Sequence, residues 1–340
     1  MKANNTRVVI YEDLHCENHL PAIEGATHNL PEIPMRVRTI SEALHNAEFS
    51  SLVRFVSPEP ATDEELFSIH KPKHLQTIKE AVQFAADSDG YRMINRDPDV
   101  IVSEGSDIAA RFAAGAVRDA VRTVLSPGLE KRAFCNVRPP GHHAHHDKPS
   151  GFCLYNNVWF GAQEARKFMT ETLGIKEPRI AIVDWDVHDS DGTRSFVLRQ
   201  ENLKLNTFLV SIHQKFTTQW PGTGKECHKI KGNTVVICHN IPVGGGDDHV
   251  KDYFDSQLIN SLTAWKPDLI LISCGFDGHE LDPVGQLQYT SQLYGWMTRK
   301  LVEVANQCCQ GRIVSVLEGG YSMKALAESS VEHVKALLEL

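Results

Sequence analysis

Arg179-Ile180-Ala181-Ile182-Val183-Asp184-Trp185-Asp186-Val187-His188 is a short apolar run that stops abruptly at two carboxylates and an imidazole. Ile180 to Val183 are apolar without alternation, as expected of a parallel strand covered on both faces. Runs of the same kind recur at Arg7–Tyr11, Ala133–Val137, Thr207–Ile212, Thr234–Asn240, Asp268–Ser273 and Arg312–Leu317. Between them lie helix-like segments. Ser106 to about Val124 is closed by Ser126-Pro127-Gly128, and Thr62-Asp63-Glu64-Glu65 has the form of a capping box. Asp248–Trp265 is amphipathic, Thr290–Gln310 ends at Gly311, and Ala325–Leu340 closes the chain. Strand and helix in repeated alternation predict an α/β fold with a central, mostly parallel sheet and helices on both faces. With no internal repeat and no linker-like tract, residues 1–340 read as a single domain.

The strands end in polar residues. Ala133–Val137 runs into Arg138-Pro139-Pro140-Gly141-His142-His143, and Thr207–Ile212 meets His213. Asp268–Ser273 runs into Cys274-Gly275-Phe276-Asp277, and Arg312–Leu317 into Glu318-Gly319-Gly320-Tyr321. Open parallel sheets bind ligands at the carboxyl ends of their strands, so these distant segments can share one site. Asp186 and His188, two residues apart in an extended segment, face the same way. An isolated Asp-x-His is more readily a solvated strand end. Asp277 at a second strand end changes that balance, because Asp, His and Asp leave the open position a catalytic zinc needs. His142-His143 on a rigid turn suits proton transfer beside such a metal. His145 and His146 read as an ordinary polar turn. Asp184 and Asp191 are candidates to orient the two imidazoles. Tyr321 after a glycine turn is either a buried tyrosine or a donor to an oxyanion. Phe152 and Phe216 are either core or the walls of an apolar slot. Gly244-Gly245-Gly246-Asp247-Asp248 lacks the Lys-Ser/Thr of a phosphate loop and reads as a rim loop leading into a helix.

Composition narrows the classes. Lys and Arg number 35 against 43 Asp and Glu, a net charge of -8, which argues against broad nucleic-acid binding. No apolar run approaches the ~20 residues of a membrane span. Met1-Lys2-Ala3-Asn4-Asn5 leads straight into an apolar stretch, without the pattern of a signal peptide. The 8 cysteines form no Cys-x-x-Cys pair. Reduced thiols and a cytoplasmic location, nucleocytoplasmic in a eukaryote, are expected.

Taken together, the motifs resemble those of the histone deacetylase and acetylpolyamine amidohydrolase family. They are Arg138-Pro139-Pro140-Gly141-His142-His143, Ser150-Gly151-Phe152-Cys153-Leu154-Tyr155-Asn156, Asp184-Trp185-Asp186-Val187-His188, Trp220-Pro221-Gly222-Thr223-Gly224, Cys274-Gly275-Phe276-Asp277 with Asp282-Pro283, and Glu318-Gly319-Gly320-Tyr321. Weaker matches are Pro34-Met35-Arg36 and Ile69-His70-Lys71-Pro72. The resemblance implies a single-domain arginase/deacetylase-like fold and a zinc-dependent amidohydrolase that releases acetate from N-acetylated amines. It implies one zinc on Asp186, His188 and Asp277, tandem catalytic histidines His142 and His143 oriented by Asp184 and Asp191, and Tyr321 polarising the acetyl carbonyl. It also implies a substrate channel with Gly151, Phe152 and Phe216 as walls and Asp99 and Val284 at the rim. A structural potassium would sit on Asp184, main-chain oxygens of Asp186 and His188, Ser211 and Ile212.

Two departures from the family pattern stand out. Many relatives continue with His-Gly after Asp-Val-His, whereas here Asp189-Ser190 follows. A carboxylate beside the zinc is expected to weaken its Lewis acidity or raise the histidine pKa values. Val284 stands where polyamine-specific relatives carry Glu, which tilts the expected substrate toward acetyl-lysine in a peptide or protein and away from acetylpolyamines or other acylated amines. A two-metal ureohydrolase is disfavoured, since Asp277-Gly278-His279 lacks an Asp-x-Asp pair. A module that binds acylated amines without turnover has only Asp189 and Ser190 in its support. No nucleic-acid or membrane partner is expected, and a homo-oligomer is compatible with the rim loops.

Overall fold

The computed structural model describes residues 7–20, 30–88, 90–215 and 221–340. Its strands are β1 (Arg7–Tyr11), β2 (Val53–Val56), β3 (Arg92–Met93), β4 (Ile101–Val102), β5 (Glu130–Cys135), β6 (Ile180–Asp184), β7 (Thr207–Gln214), β8 (Cys227–Lys231), β9 (Thr234–Ile241), β10 (Leu269–Cys274) and β11 (Ile313–Leu317). Its helices are α1 (Met35–His45), α2 (Asp63–Leu66), α3 (Pro72–Asp87), α4 (Ser106–Leu125), α5 (Asn157–Glu171), α6 (Asp191–Val197), α7 (Asp247–Tyr253), α8 (Ile259–Trp265), α9 (Ser291–Cys308) and α10 (Met323–Leu337). The described residues form a nine-stranded sheet in the order β2-β1-β5-β11-β10-β6-β7-β9-β8. Its pairs are parallel except β8 with β9. β3 and β4 make a separate two-stranded antiparallel ribbon.

The unbroken apolar strands divide by parity. Val9 and Tyr11, Ile180 and Ile182, and Leu269 and Leu271 enter one core with α3, α4 and α5. Val8 and Ile10, Ala181 and Val183, and Ile270 and Ile272 enter the other with α1, α9 and α10. Successive side chains on a strand point to opposite faces, so each strand serves both layers. That is why these runs show no polar alternation. The chain is a single domain of mostly parallel α/β type, as the sequence predicts.

Local signals are met closely. Thr62 accepts from the Glu65 amide while Glu65 reaches back to the Thr62 amide, completing the capping box. The expected helix over Asp248–Trp265 is interrupted at Phe254–Leu258 by a wider, π-type turn between α7 and α8. Phe216 and Trp220 lie outside the described residues.

Candidate active site

Five adjacent strands, β5, β11, β10, β6 and β7, end on one side of the sheet, and the polar segments named above follow four of them. Their meeting point is a cavity of about 190 Å³ lined by Asp99, Pro140, His142, His143, Gly151, Phe152, His188, Val284, Gly319 and Tyr321. The walls are largely apolar, with imidazoles and a phenol among them. Gly151 and Phe152 both have positive φ, 50° and 64°. For a bulky residue such as Phe152 this conformation is uncommon and costly, and it persists only where the surrounding structure holds it. The Phe152 amide donates to the Asp99 carbonyl at 2.9 Å, and its ring stands edge-on to Tyr321 with centroids 6.0 Å apart.

At one side of the cavity Asp186, His188 and Asp277 each offer one ligand atom, all within 4.8 Å of one another. His188 Nδ1 lies 3.1 Å from Asp186 Oδ1 and 3.3 Å from Asp277 Oδ2. Their remaining contacts hold the carboxylates in place. The Val187 amide donates to Asp277 Oδ1 at 2.8 Å, and the Gly319 amide to Asp186 Oδ2 at 2.7 Å. Asp277 Oδ2 is buried and, apart from its ion pair with His188, has no polar partner among the described residues. A Cβ at Gly319 would lie 2.1 Å from that oxygen, and one at Gly275 would lie 2.2 Å from Asp186 Oδ2. Both glycines therefore admit the carboxylates where any side chain would displace them. Burial opposes charge on His188, yet Asp186 and Asp277 raise its pKa to about 10. Burial, with Asp186 next to it, pushes Asp277 up to about 7. Two buried carboxylates converging on one ring nitrogen favour a cation, and the donor set and its spacing fit zinc.

The tandem histidines occupy the turn after β5, with ring centroids 3.9 Å apart. His142 Nδ1 donates to Asp184 Oδ2 at 3.0 Å, and His143 Nδ1 donates to Asp191 Oδ1 at 2.7 Å. These bonds fix the tautomers and make Nε2 the basic atom of each neutral ring. The two environments differ. Burial opposes charge on His142, but Asp186 and Asp184 outweigh it and raise the pKa well above the usual histidine value. Burial and the charge on His142 hold His143 down to about 4, against the pull of Asp191. The two adjacent rings are thus pushed in opposite directions.

Tyr321 sits on the loop after β11. Its amide donates to Asp282 Oδ2 at 2.6 Å, and burial raises its phenol well above the usual range, so it remains a hydrogen-bond donor. The Asp282 Oδ1 accepts from the amides of Val284 and Gly285, which couples the rim to the tyrosine loop.

Asp99, Gly151, Phe152 and Val284 line the cavity, and Phe216 lies outside the described residues. Asp189 departs from expectation. Its carboxylate forms an ion pair with Arg194 and accepts from Thr223 Oγ1 at 2.6 Å. The charge anticipated beside the metal site is therefore met by a guanidinium. Ser190 is buried, and its amide donates to Ser211 Oγ at 3.2 Å. His145 is also more than a polar turn: its Nε2 donates to Asp191 Oδ2 at 3.0 Å, so Asp191 holds two imidazoles.

Three supporting residues have roles that the motifs do not announce. Glu318 accepts from the amides of Gly141 and His142 at 2.7 and 3.1 Å and from Ser273 Oγ at 3.0 Å, fixing the histidine turn to β11. Arg36 donates to the carbonyls of Gly320 and Glu318, and its guanidinium stacks 4.9 Å from the Tyr321 ring centre. Glu32 pairs with both Arg36 and Arg138 in full burial. The Glu32 and Arg36 pair, four residues apart, is the one local signal; the other partners are remote in sequence and mostly backbone groups.

Residues 30–337 match the sequence model of the histone deacetylase domain. Histone deacetylase 14, chloroplastic, of Arabidopsis thaliana is 32% identical over 320 residues, covering 91% of this chain and 73% of the relative. An uncharacterised protein of Synechocystis is 34% identical over 319 residues, covering 92% of this chain and 95% of its own length. The crystal structure of the HDA15 HD domain superposes with a TM-score of 0.83 at 28% identity, over 98% of this chain and 90% of that one. Zinc dependence is typical of the family. The sheet order, the converging Asp, His and Asp, and the match along nearly the whole chain lead to one assignment: this chain belongs to the histone deacetylase family and is a hydrolase of the deacetylase type.

Proposed function

We propose that the protein is a zinc-dependent amidohydrolase that removes acetyl groups from lysine side chains of peptides or proteins. The observation that carries this reading is the cluster of Asp186, His188 and Asp277 beside two adjacent imidazoles, each held at Nδ1 by a carboxylate, His142 by Asp184 and His143 by Asp191. Zinc held by these three side chains would supply a Lewis acid that polarises the amide carbonyl and makes a water molecule more acidic. His143, neutral and basic at Nε2, takes the water proton. His142, held at Nδ1 by Asp184, faces the negative charge as it develops and stabilises it. Tyr321 donates its phenol hydrogen bond to the carbonyl oxygen. His143 then returns its proton to the departing amine. Water adds across the amide bond, and the products are acetate and the free lysine amine.

The narrow, largely apolar cavity supports a substrate that enters as an extended aliphatic arm. Val284 at its wall offers no carboxylate to a second amine, which supports acetyl-lysine over an acetylated polyamine. Asp99, half-buried at the mouth, is suited to accept hydrogen bonds from a peptide backbone. We further propose a structural potassium beside β6 and β7. In support, Asp184 and Ser211 are register partners across these strands. Tyr321→Phe tests the mechanism: kcat is expected to fall by ~10²–10³ with zinc retained. Turnover within twofold of the parent would remove Tyr321 from the chemistry.

A further inference from the structure

Away from the cavity, the antiparallel pair at the sheet edge brings two thiols together. Cys227 opens β8 and faces Cys238 of β9 directly across the ladder. Their sulfurs are 2.8 Å apart. Directly opposite residues in an antiparallel pair have Cα separations of roughly 4.5 or 5.5 Å, and both fall within the span a disulfide bridges. Cys227 is half-buried, so a small oxidant reaches it, while Cys238 is buried behind it. The hairpin also touches the candidate site. Arg194 Nη1 donates to Cys238 Sγ at 3.3 Å and pairs with Asp189, the residue after the candidate metal ligand His188. Arg194 belongs to α6, whose first residue, Asp191, holds His143 and His145.

We propose that Cys227 and Cys238 are a redox modification site that closes to a reversible disulfide and, through Arg194, alters the Asp189–Val197 segment beside the active site. The oxidant class is a small-molecule disulfide such as glutathione disulfide. The Cys227 thiolate attacks one sulfur of the glutathione disulfide and releases one glutathione thiolate. The Cys238 thiol then gives up its proton and attacks the Cys227 sulfur of the mixed disulfide, releasing the second glutathione. Two electrons and two protons pass from the protein to two glutathione molecules. Burial pushes the Cys238 thiol up to about 12, so the first attack belongs to Cys227. Closing the bond moves Cys238 Sγ, which is one of the partners that hold the Arg194 guanidinium.

The test does not depend on which substrate the enzyme takes. Zinc-loaded protein is equilibrated in glutathione buffers from fully reduced to fully oxidised, and remaining thiols are blocked. Peptide mapping without reductant is expected to show a Cys227–Cys238 link that returns to thiols with excess glutathione. Cys227→Ser and Cys238→Ser are each expected to abolish it, and Cys227→Ser suffices if the buried serine prevents folding. Amide hydrogen exchange in 189–197 is expected to change about threefold or more on oxidation, reversibly, and not in Cys227→Ser. No link in glutathione disulfide, or a link to another cysteine, overturns the site. A Cys227–Cys238 link that leaves exchange in 189–197 unchanged overturns its connection to the active site.

Discussion

Asp189 shows how little a residue's formal charge says before its partner is known. In sequence it places a carboxylate beside a metal ligand. In the structure Arg194 and Thr223 take up that carboxylate, and the charge serves to anchor α6. Asp189→Ala is therefore expected to cost stability, about 1–3 kcal/mol, by leaving a mostly buried guanidinium without its acceptor. Zinc content should remain one per chain. Urea unfolding and metal analysis check both; a stable variant with altered zinc content would return Asp189 to the metal site. The zinc candidates, the His pair and Tyr321 were legible because rare residue types follow apolar runs at strand ends. Glu318 was visible as part of a motif, but its task was not. Its donors, Gly141 and His142, lie 177 and 176 positions away, and no local pattern encodes that contact.

At the scale of elements, a buried ion cluster fastens the active-site loops. Glu32 bridges Arg138, which precedes the histidine turn, and Arg36 of α1, which holds the Glu318–Tyr321 loop. The arginine pair draws Glu32 down to about 2 despite burial. Glu32→Gln would leave two buried guanidinium groups short of a counter-charge, and is expected to destabilise by about 3–5 kcal/mol in urea unfolding. A loss below about 1 kcal/mol would show that the cluster does not support these loops. The strands that carry the site announced themselves because burial on both faces demands continuous apolar runs. β2 and β8 did not, because edge strands keep partly exposed and charged residues, as Lys229 and Lys231 show. The turn at Phe254–Leu258 was hidden because it leaves the amphipathic pattern intact.

For the whole molecule, acid is the condition that separates folded from unfolded chain. Burial holds His333 down to about 3, where Thr298 and Ser315 hydroxyls flank its ring. In the unfolded chain the same ring takes a proton below about pH 6.5. Between those values the unfolded state binds more protons, so stability falls as pH falls. From about pH 6.5 to 5 this residue alone accounts for up to about 2 kcal/mol. His333→Gln keeps a hydrogen-bonding side chain without the titration and should flatten that part of the fall. Equal slopes for variant and parent would contradict the account. Among the described residues no helix is long and apolar enough to cross a membrane.

Acetate release from zinc-loaded protein, with an acetyl-lysine peptide and an acetylated polyamine offered separately and His143→Ala as control, decides whether the site is a lysine deacetylase. Release is expected from the peptide, faster than from the polyamine, and none above background from the variant. Preference for the polyamine would contradict the argument from Val284. Absence of release from both substrates, with zinc bound, would contradict the deacetylase chemistry assigned to His143 and Tyr321.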